Sequence, residues 1–200
     1  MLRKFIALQF KKPSGWLGIW SSNKMIKGNR KHYDRLINDL DLQPHDKLLE
    51  IGYGPGRGIY TIAETCPTCT IHGIDFSSLM YKRVSAYNKA SIQKGNVLLQ
   101  HGDFLKLPVA ENHYDKVFCL NVVYFWNELK EPFAKGFSVL KKGGSFYIYM
   151  ADSSTLIEKK APGSVFNFYS TAEVAEALKS VGFGIVEQYL EKGHYIKARK

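Results

Sequence analysis

From residue 47 onward, short apolar runs alternate with segments of helical periodicity. Residues 47–51, 70–74, 97–100, 116–120 and 145–150 read as five strands. Between them, residues 57–65 put Ile59, Ile62 and Ala63 on one helical face. Residues 78–92 carry Met80, Val84, Tyr87 and Ser91 at helical spacing, and 131–140 align Phe133, Phe137 and Leu140. Pro132 suits the first turn of that last helix, and Gly143-Gly144 is expected to stop it. Ser170 with Glu173 forms a capping box opening a helix that ends near Gly182. Two further strand-like runs, 184–190 and 194–199, flank Lys192-Gly193 and are expected to form a hairpin. Strands alternating with helices predict an α/β fold, a parallel sheet covered on both faces. Residues 1–45 read as a helical extension or lid, and 46–200 as the sheet domain. The connection 151–169, with Phe166, Phe168 and Tyr169, has a length that usually signals function or disorder.

Two hundred residues suffice for one sizeable core. No apolar run approaches the roughly 20 residues of a membrane-spanning helix. The opening Met1–Phe10 stretch resembles a signal peptide. It is short, however, broken by Gln9, Lys11 and Lys12, and lacks a small-residue cleavage site, so no export signal is read. Charge is uneven. Residues 1–35 hold nine Lys or Arg against one acid, a net of +8, whereas the rest of the chain carries only +2. Such an arm suits a membrane surface, a nucleic acid or an anionic substrate, or is simply a solvated face. Cys66-x-x-Cys69 lacks the second pair or histidines of a zinc site and reads as a plain loop, with a redox or metal role as the alternative. Cys119 reads as core, and all three thiols fit a reducing, cytoplasmic setting. The six histidines are scattered, so no metal is expected.

The chemistry gathers at strand ends. Gly52-Tyr53-Gly54-Pro55-Gly56 follows the first strand and precedes a helix, a turn where glycines let a ligand touch the main chain. Glu50, just inside the strand end, disfavours a diphosphate and favours a ligand with an ammonium and a sulfonium centre. Asp75 ends the second strand, where an acid can accept both hydroxyls of a ribose. That position serves a nicotinamide dinucleotide equally well. Phe76 and Met80 can line an adenine, and Met80 is equally a core residue. Asp103, ending the third strand, can grip an adenine amino group while Phe104 packs the ring. A dinucleotide site does not need this third acid.

Leu-Leu-Glu-Ile-Gly-Tyr-Gly-Pro-Gly at 48–56, Gly-Ile-Asp-Phe-Ser at 73–77, Gly-Asp-Phe at 102–104 and Leu-Lys-Lys-Gly-Gly at 140–144 carry a resemblance. Residues 45–150 resemble a class I S-adenosylmethionine-dependent methyltransferase of the broad bacterial group of small-molecule and quinone methyltransferases. The resemblance implies a three-layer Rossmann-like sheet of seven strands, order 3-2-1-4-5-7-6, with strand 7 antiparallel. It implies S-adenosylmethionine as cofactor, with Asp75 on the ribose, Asp103 on the adenine and the glycine turn on the methionyl part. Asn121 then sits beside the methionine end.

Methyl transfer needs mainly positioning and exclusion of water, so the lack of a catalytic dyad is no obstacle. Tyr124 can orient or deprotonate an acceptor, and Trp126 can stack on a flat or cationic one. Trp16, Trp20, Asn29 and Tyr33, with the 151–169 connection, are expected as a lid. The favoured acceptor is a small molecule, with the basic arm offering peripheral membrane contact. RNA or another nucleic acid is the alternative, although Asn121-Val122-Val123-Tyr124 lacks the prolines of amino-directed nucleic-acid enzymes. A non-catalytic S-adenosylmethionine-binding protein is a third reading.

Overall fold

The computed structural model describes residues 2–151, 153–189 and 194–200. Two helices come first, α1 (Leu2–Lys11) and α2 (Gly15–Asp39), followed by β1 (Lys47–Ile51), α3 (Arg57–Thr65) and β2 (Thr70–Asp75). Next are α4 (Ser78–Tyr87), α5 (Lys89–Lys94), β3 (Val97–His101), β4 (Tyr114–Leu120) and a single 3-10 turn, Val123–Phe125. The chain closes through α6 (Lys130–Val139), β5 (Leu140–Met150), α7 (Ser153–Glu158), α8 (Thr171–Ser180), β6 (Ile185–Tyr189) and β7 (His194–Arg199).

The sheet runs β3-β2-β1-β4-β5-β7-β6. β1 to β5 are mutually parallel, and β7 runs antiparallel to both of its neighbours. The expected order and the single reversed strand are both present. The Lys192-Gly193 turn of the expected hairpin lies outside the described residues.

Period-two alternation splits the core into two layers. Leu49, Ile51, Val117, Phe146 and Ile148 face one way and pack with Phe133 of α6 and Val174 and Leu178 of α8. Leu48, Ile71, Phe118 and Tyr147 face the other way, against Ile59 and Ile62 of α3, Met80 and Val84 of α4, and Tyr33, Leu36 and Ile37 of α2. The second half of α2 is therefore core. Each fully buried aliphatic side chain here contributes about 1.5–3 kcal/mol.

Three local expectations are corrected. The helix expected over 78–92 breaks at Asn88, which leaves helical geometry (φ −103°, ψ 18°) while its backbone N–H (3.0 Å) and its side-chain amide (2.9 Å) both donate to the Val84 carbonyl. Gly143-Gly144 do not stop the preceding helix. Leu140 is already extended and fully buried at the start of β5. The glycines lie inside β5, beside a register irregularity against β4 between Tyr114 and Lys116. A Cβ on Gly144 would come within 2.9 Å of two backbone oxygens, so only glycine fits there. Finally, Cys66 and Cys69 are disulfide-bonded rather than free, leaving Cys119 as the free, buried thiol. The Cys-x-x-Cys spacing was the available signal. The tight turn in which the Cys69 amide donates to the Cys66 carbonyl brings the sulfurs together. Among the described residues, no helix is long and apolar enough to cross a membrane.

Candidate active site

The carboxyl ends of β1, β2, β4 and β5 open into a cavity of about 1030 Å³. Its floor is the turn after β1. Gly52, Gly54 and Gly56 all hold positive φ (70°, 50° and 79°), the left-handed conformation that suits glycine. A Cβ on Gly52 would lie 2.6 Å from a methyl carbon of Val122, whereas one on Gly54 would enter open space. Gly52, Gly54 and Pro55 line the cavity. The turn therefore presents bare backbone to whatever occupies the site.

Asp75 braces this turn from the end of β2. Its Oδ2 accepts the Gly54 N–H and its Oδ1 the Ser77 N–H, both at 2.8 Å. Each oxygen keeps a further acceptor position. Burial pushes the carboxyl up to about 6 against those two amides, which lower it. Asp103, after β3, is exposed. Its Oδ1 accepts the Leu105 N–H at 3.0 Å, and its Oδ2 accepts no hydrogen bond among the described residues. Phe76 and Phe104 line the same end of the cavity.

Asn121 follows β4 at a positive φ of 60°. It links three elements: its amide donates to Asn29 Oδ1 of α2 at 3.1 Å, and its Oδ1 accepts the Ala151 N–H beyond β5 at 3.2 Å. Tyr124 and Trp126 extend the wall. Tyr124 packs edge-on against Phe125, and Trp126 edge-on against Phe133. Burial pushes the Tyr124 hydroxyl far above the ordinary tyrosine range. It stays protonated near neutral pH and can orient an acceptor, but it cannot serve as a ready base.

Glu50, Tyr53, Gly56 and Met80 lie behind the floor rather than on it. Met80 and Tyr53 are fully buried in the core. Glu50 is also fully buried, close behind Gly58 at the start of α3, where a Cβ would collide with its carboxylate. Tyr33 of α2 donates to Glu50 Oε1 at 2.9 Å, while Oε2 has no hydrogen-bond partner among the described residues. Burial pushes this carboxyl up to about 8. The Tyr33 hydroxyl and the Ile59 amide pull it down, and the nearby Asp75 pushes it up.

The roof comes from α1, α2, α7 and the segment after α7. Ile6 and Phe10, Met25, and Leu156 and Phe166 supply apolar wall. Arg3, Lys11, Lys24, Lys159 and Lys160 add positive charge on that side. Of the expected lid residues, Asn29, Tyr33 and Phe166 line the cavity; Trp16 and Trp20 point away and are exposed. Sequence reasoning missed Phe10 and Met25, whose only signal was helical spacing inside the arm, while Leu156 of α7 falls in the connection expected as part of the lid. It also missed His32, which clamps α2 to the sheet through Tyr149 (2.8 Å) and Tyr195 (3.0 Å). No cluster among the described residues suits a metal ion.

A family model described as a methyltransferase domain matches residues 48–144. That span runs from β1 through the glycine turn and both acidic strand ends to the start of β5. Residues 48–144 are a methyltransferase domain of the class I S-adenosylmethionine-dependent type. S-adenosylmethionine is the cofactor of this class. The sterol 24-C-methyltransferase of Kluyveromyces lactis is 23% identical over 192 residues, covering 87% of this chain and 52% of its own length. Squalene methyltransferase 1 of Botryococcus braunii is 26% identical over 170 residues, covering 79% and 45%. The chain thus spans about half the length of these curated relatives. A chain of the complex between the Haloferax volcanii Trm112 methyltransferase activator and a methyltransferase superposes with a TM-score of 0.79. Its identity is 17%, over 92% of this chain and 95% of that one. At that identity the likeness establishes the fold.

Proposed function

We propose that this methyltransferase moves the methyl group of S-adenosylmethionine to a small, largely apolar acceptor enclosed between the strand ends and the α1–α2 arm. The size and lining of the cavity carry the reading. Ligand sites commonly occupy about 300–1,000 Å³, and this one offers about 1030 Å³. One end is backbone and carboxylate; the other is Phe10, Met25, Leu156 and Phe166. The bare turn at Gly52 and Gly54 fits the methionyl part, the open acceptor positions of Asp75 fit a ribose, and the unpartnered Oδ2 of Asp103 fits an adenine amino group. Asn121 stands between the two ends.

The cofactor, when bound, supplies a methyl carbon activated by positive sulfur. The chain's own residues then position the acceptor and keep water out. Tyr124 offers a protonated hydroxyl to orient a polar atom of the acceptor, and Trp126 a flat apolar surface. Lys24, Lys159 and Lys160 on the roof suit an acceptor that also carries an anionic or polar end. The relatives named for sterols and squalene support an apolar acceptor class.

Incubation with methyl-labelled S-adenosylmethionine and separate lipid, polar-metabolite and RNA fractions tests the assignment. Label in the lipid or metabolite fraction is expected. Label confined to RNA overturns it in favour of a nucleic-acid enzyme, and tight cofactor binding without labelled product favours a non-catalytic binding protein.

A further inference from the structure

Seven of the fourteen exposed large apolar side chains among the described residues fall between Leu2 and Ile26. Their placement is regular. At about 100° per residue, Ile6 and Phe10 of α1 share the face that lines the cavity, while Phe5 and Leu8 fall on the opposite, exposed face. On α2, Met25, Asn29 and Tyr33 point inward to the cavity. The outward stripe starts with Trp16 (75% exposed), Ile19 and Trp20. It continues into the exposed bases Lys27, Arg30 and Lys31. Both helices are apolar on two opposite sides, and only one side is covered.

The hairpin is held firmly in this pose. Ser21 Oγ donates to the Gln9 carbonyl (3.0 Å) and Ser77 Oγ to the Pro13 carbonyl (2.6 Å). Gly18 is packed so closely on Pro13 and Leu79 that a Cβ would approach within 2.8 Å of both. The exposed face is therefore built into the fold.

We infer that the outer face of α1 and α2 docks the protein on an anionic lipid bilayer. Charge complementarity selects this occupant, since residues 1–35 carry a net of +8 while the remainder is nearly neutral. Basic side chains draw the arm to acidic headgroups, and aromatic and aliphatic side chains beside them enter the headgroup–acyl boundary. Tryptophan favours that boundary because one edge is apolar and the N–H finds a polar partner. A nucleic acid would satisfy the bases but leave Phe5, Leu8 and Ile19 in water. The same two helices roof the cavity, so the site lies directly beneath the docking face. The docking surface does not depend on the acceptor reading.

Sedimentation of the full chain with phosphatidylcholine vesicles, with and without phosphatidylglycerol, tests this. Retention is expected on anionic vesicles only, falling as salt screens the charges. F5S/W16S/W20S and K27E/R30E/K31E should each weaken retention by about tenfold or more. Both should retain S-adenosylmethionine affinity, because none of these residues lines the cavity. Vesicles should also blue-shift tryptophan emission, and W16F/W20F should abolish the shift. Absence of retention on anionic vesicles overturns the inference. So does retention that survives both sets of substitutions, or salt-sensitive retention on RNA with none on vesicles.

Discussion

Glu50→Gln is expected to stabilise the protein at neutral pH, although it alters a fully buried residue in the most recognisable motif of the chain. The Glu50 carboxyl is raised from an ordinary 4.5 to about 8 in the folded state, chiefly by burial. A folded value above the unfolded one means that the folded chain holds its proton longer. Its contribution to stability is complete below pH 4.5 and is lost as pH rises through 8. Each pH unit within that window is worth about 1.4 kcal/mol. At pH 7 about two and a half units have been crossed, so ionisable Glu50 costs about 3 kcal/mol relative to a neutral isostere. That is a large share of the 5–15 kcal/mol typical of a domain. Glutamine keeps an oxygen for the Tyr33 hydroxyl and never ionises. Urea unfolding of both proteins at pH 5, 6, 7 and 8, by linear extrapolation, measures the difference. The gap in favour of glutamine should be small at pH 5, near 3 kcal/mol at pH 7, and level off above pH 8. Because Asp75 titrates in both proteins, it largely cancels in the difference. A gap that does not grow with pH, or a glutamine variant less stable throughout, would refute a raised Glu50.

The acids that line the cavity should behave differently. Asp75→Ala and Asp103→Ala should each weaken S-adenosylmethionine binding in calorimetry by about 10- to 100-fold, the worth of one or two charge-assisted hydrogen bonds; unchanged affinity in both removes the proposed cofactor contacts. Gly52→Ala combines a φ of 70° with a Cβ 2.6 Å from Val122, so a loss of about 2 kcal/mol in unfolding free energy is expected, together with weaker cofactor binding; an alanine variant equal to the parent in both would contradict the cradle. Tyr124→Phe should lower kcat while leaving the shape of the pH–rate profile between pH 6 and 10 unaltered, because the hydroxyl does not ionise in that range; a change of shape would make Tyr124 the base.

Strand ends were legible because a buried parallel strand needs an apolar run and a ligand turn needs glycine, and both are written locally. β1 spans residues 47–51 as expected, and Ser170 forms its capping box with Glu173. The roof was not legible. The α2 helix is fixed over the sheet by contacts as distant in sequence as Asn29 with Asn121 and His32 with Tyr195. Helical spacing alone cannot say which of two apolar faces turns inward. The break at Asn88 and the glycines of β5 escaped for a related reason. A side-chain amide that joins its own backbone N–H on one carbonyl, or a strand crowding its neighbour's backbone, leaves no trace in hydropathy.

The same distance from sequence to structure separates the three acids that suggested the cofactor. Glu50, Asp75 and Asp103 each occupy or directly follow a strand end, and all three were read as ligand contacts. Burial sorts them. Glu50 is enclosed behind the turn, joined to Tyr33 of α2 and pressed against the start of α3. Asp75 lies at the boundary, one oxygen holding Gly54 in place while its remaining acceptor positions stay open. Asp103 stands exposed, with an oxygen that accepts no hydrogen bond among the described residues. Glu50 supports the turn, Asp75 both braces it and faces the cavity, and Asp103 is the acid we propose for the ligand alone. A charge change at Glu50 should therefore register first in folding stability, one at Asp103 in cofactor affinity, and one at Asp75 in both. Measuring unfolding and binding on the same three variants separates the roles, which activity alone would merge.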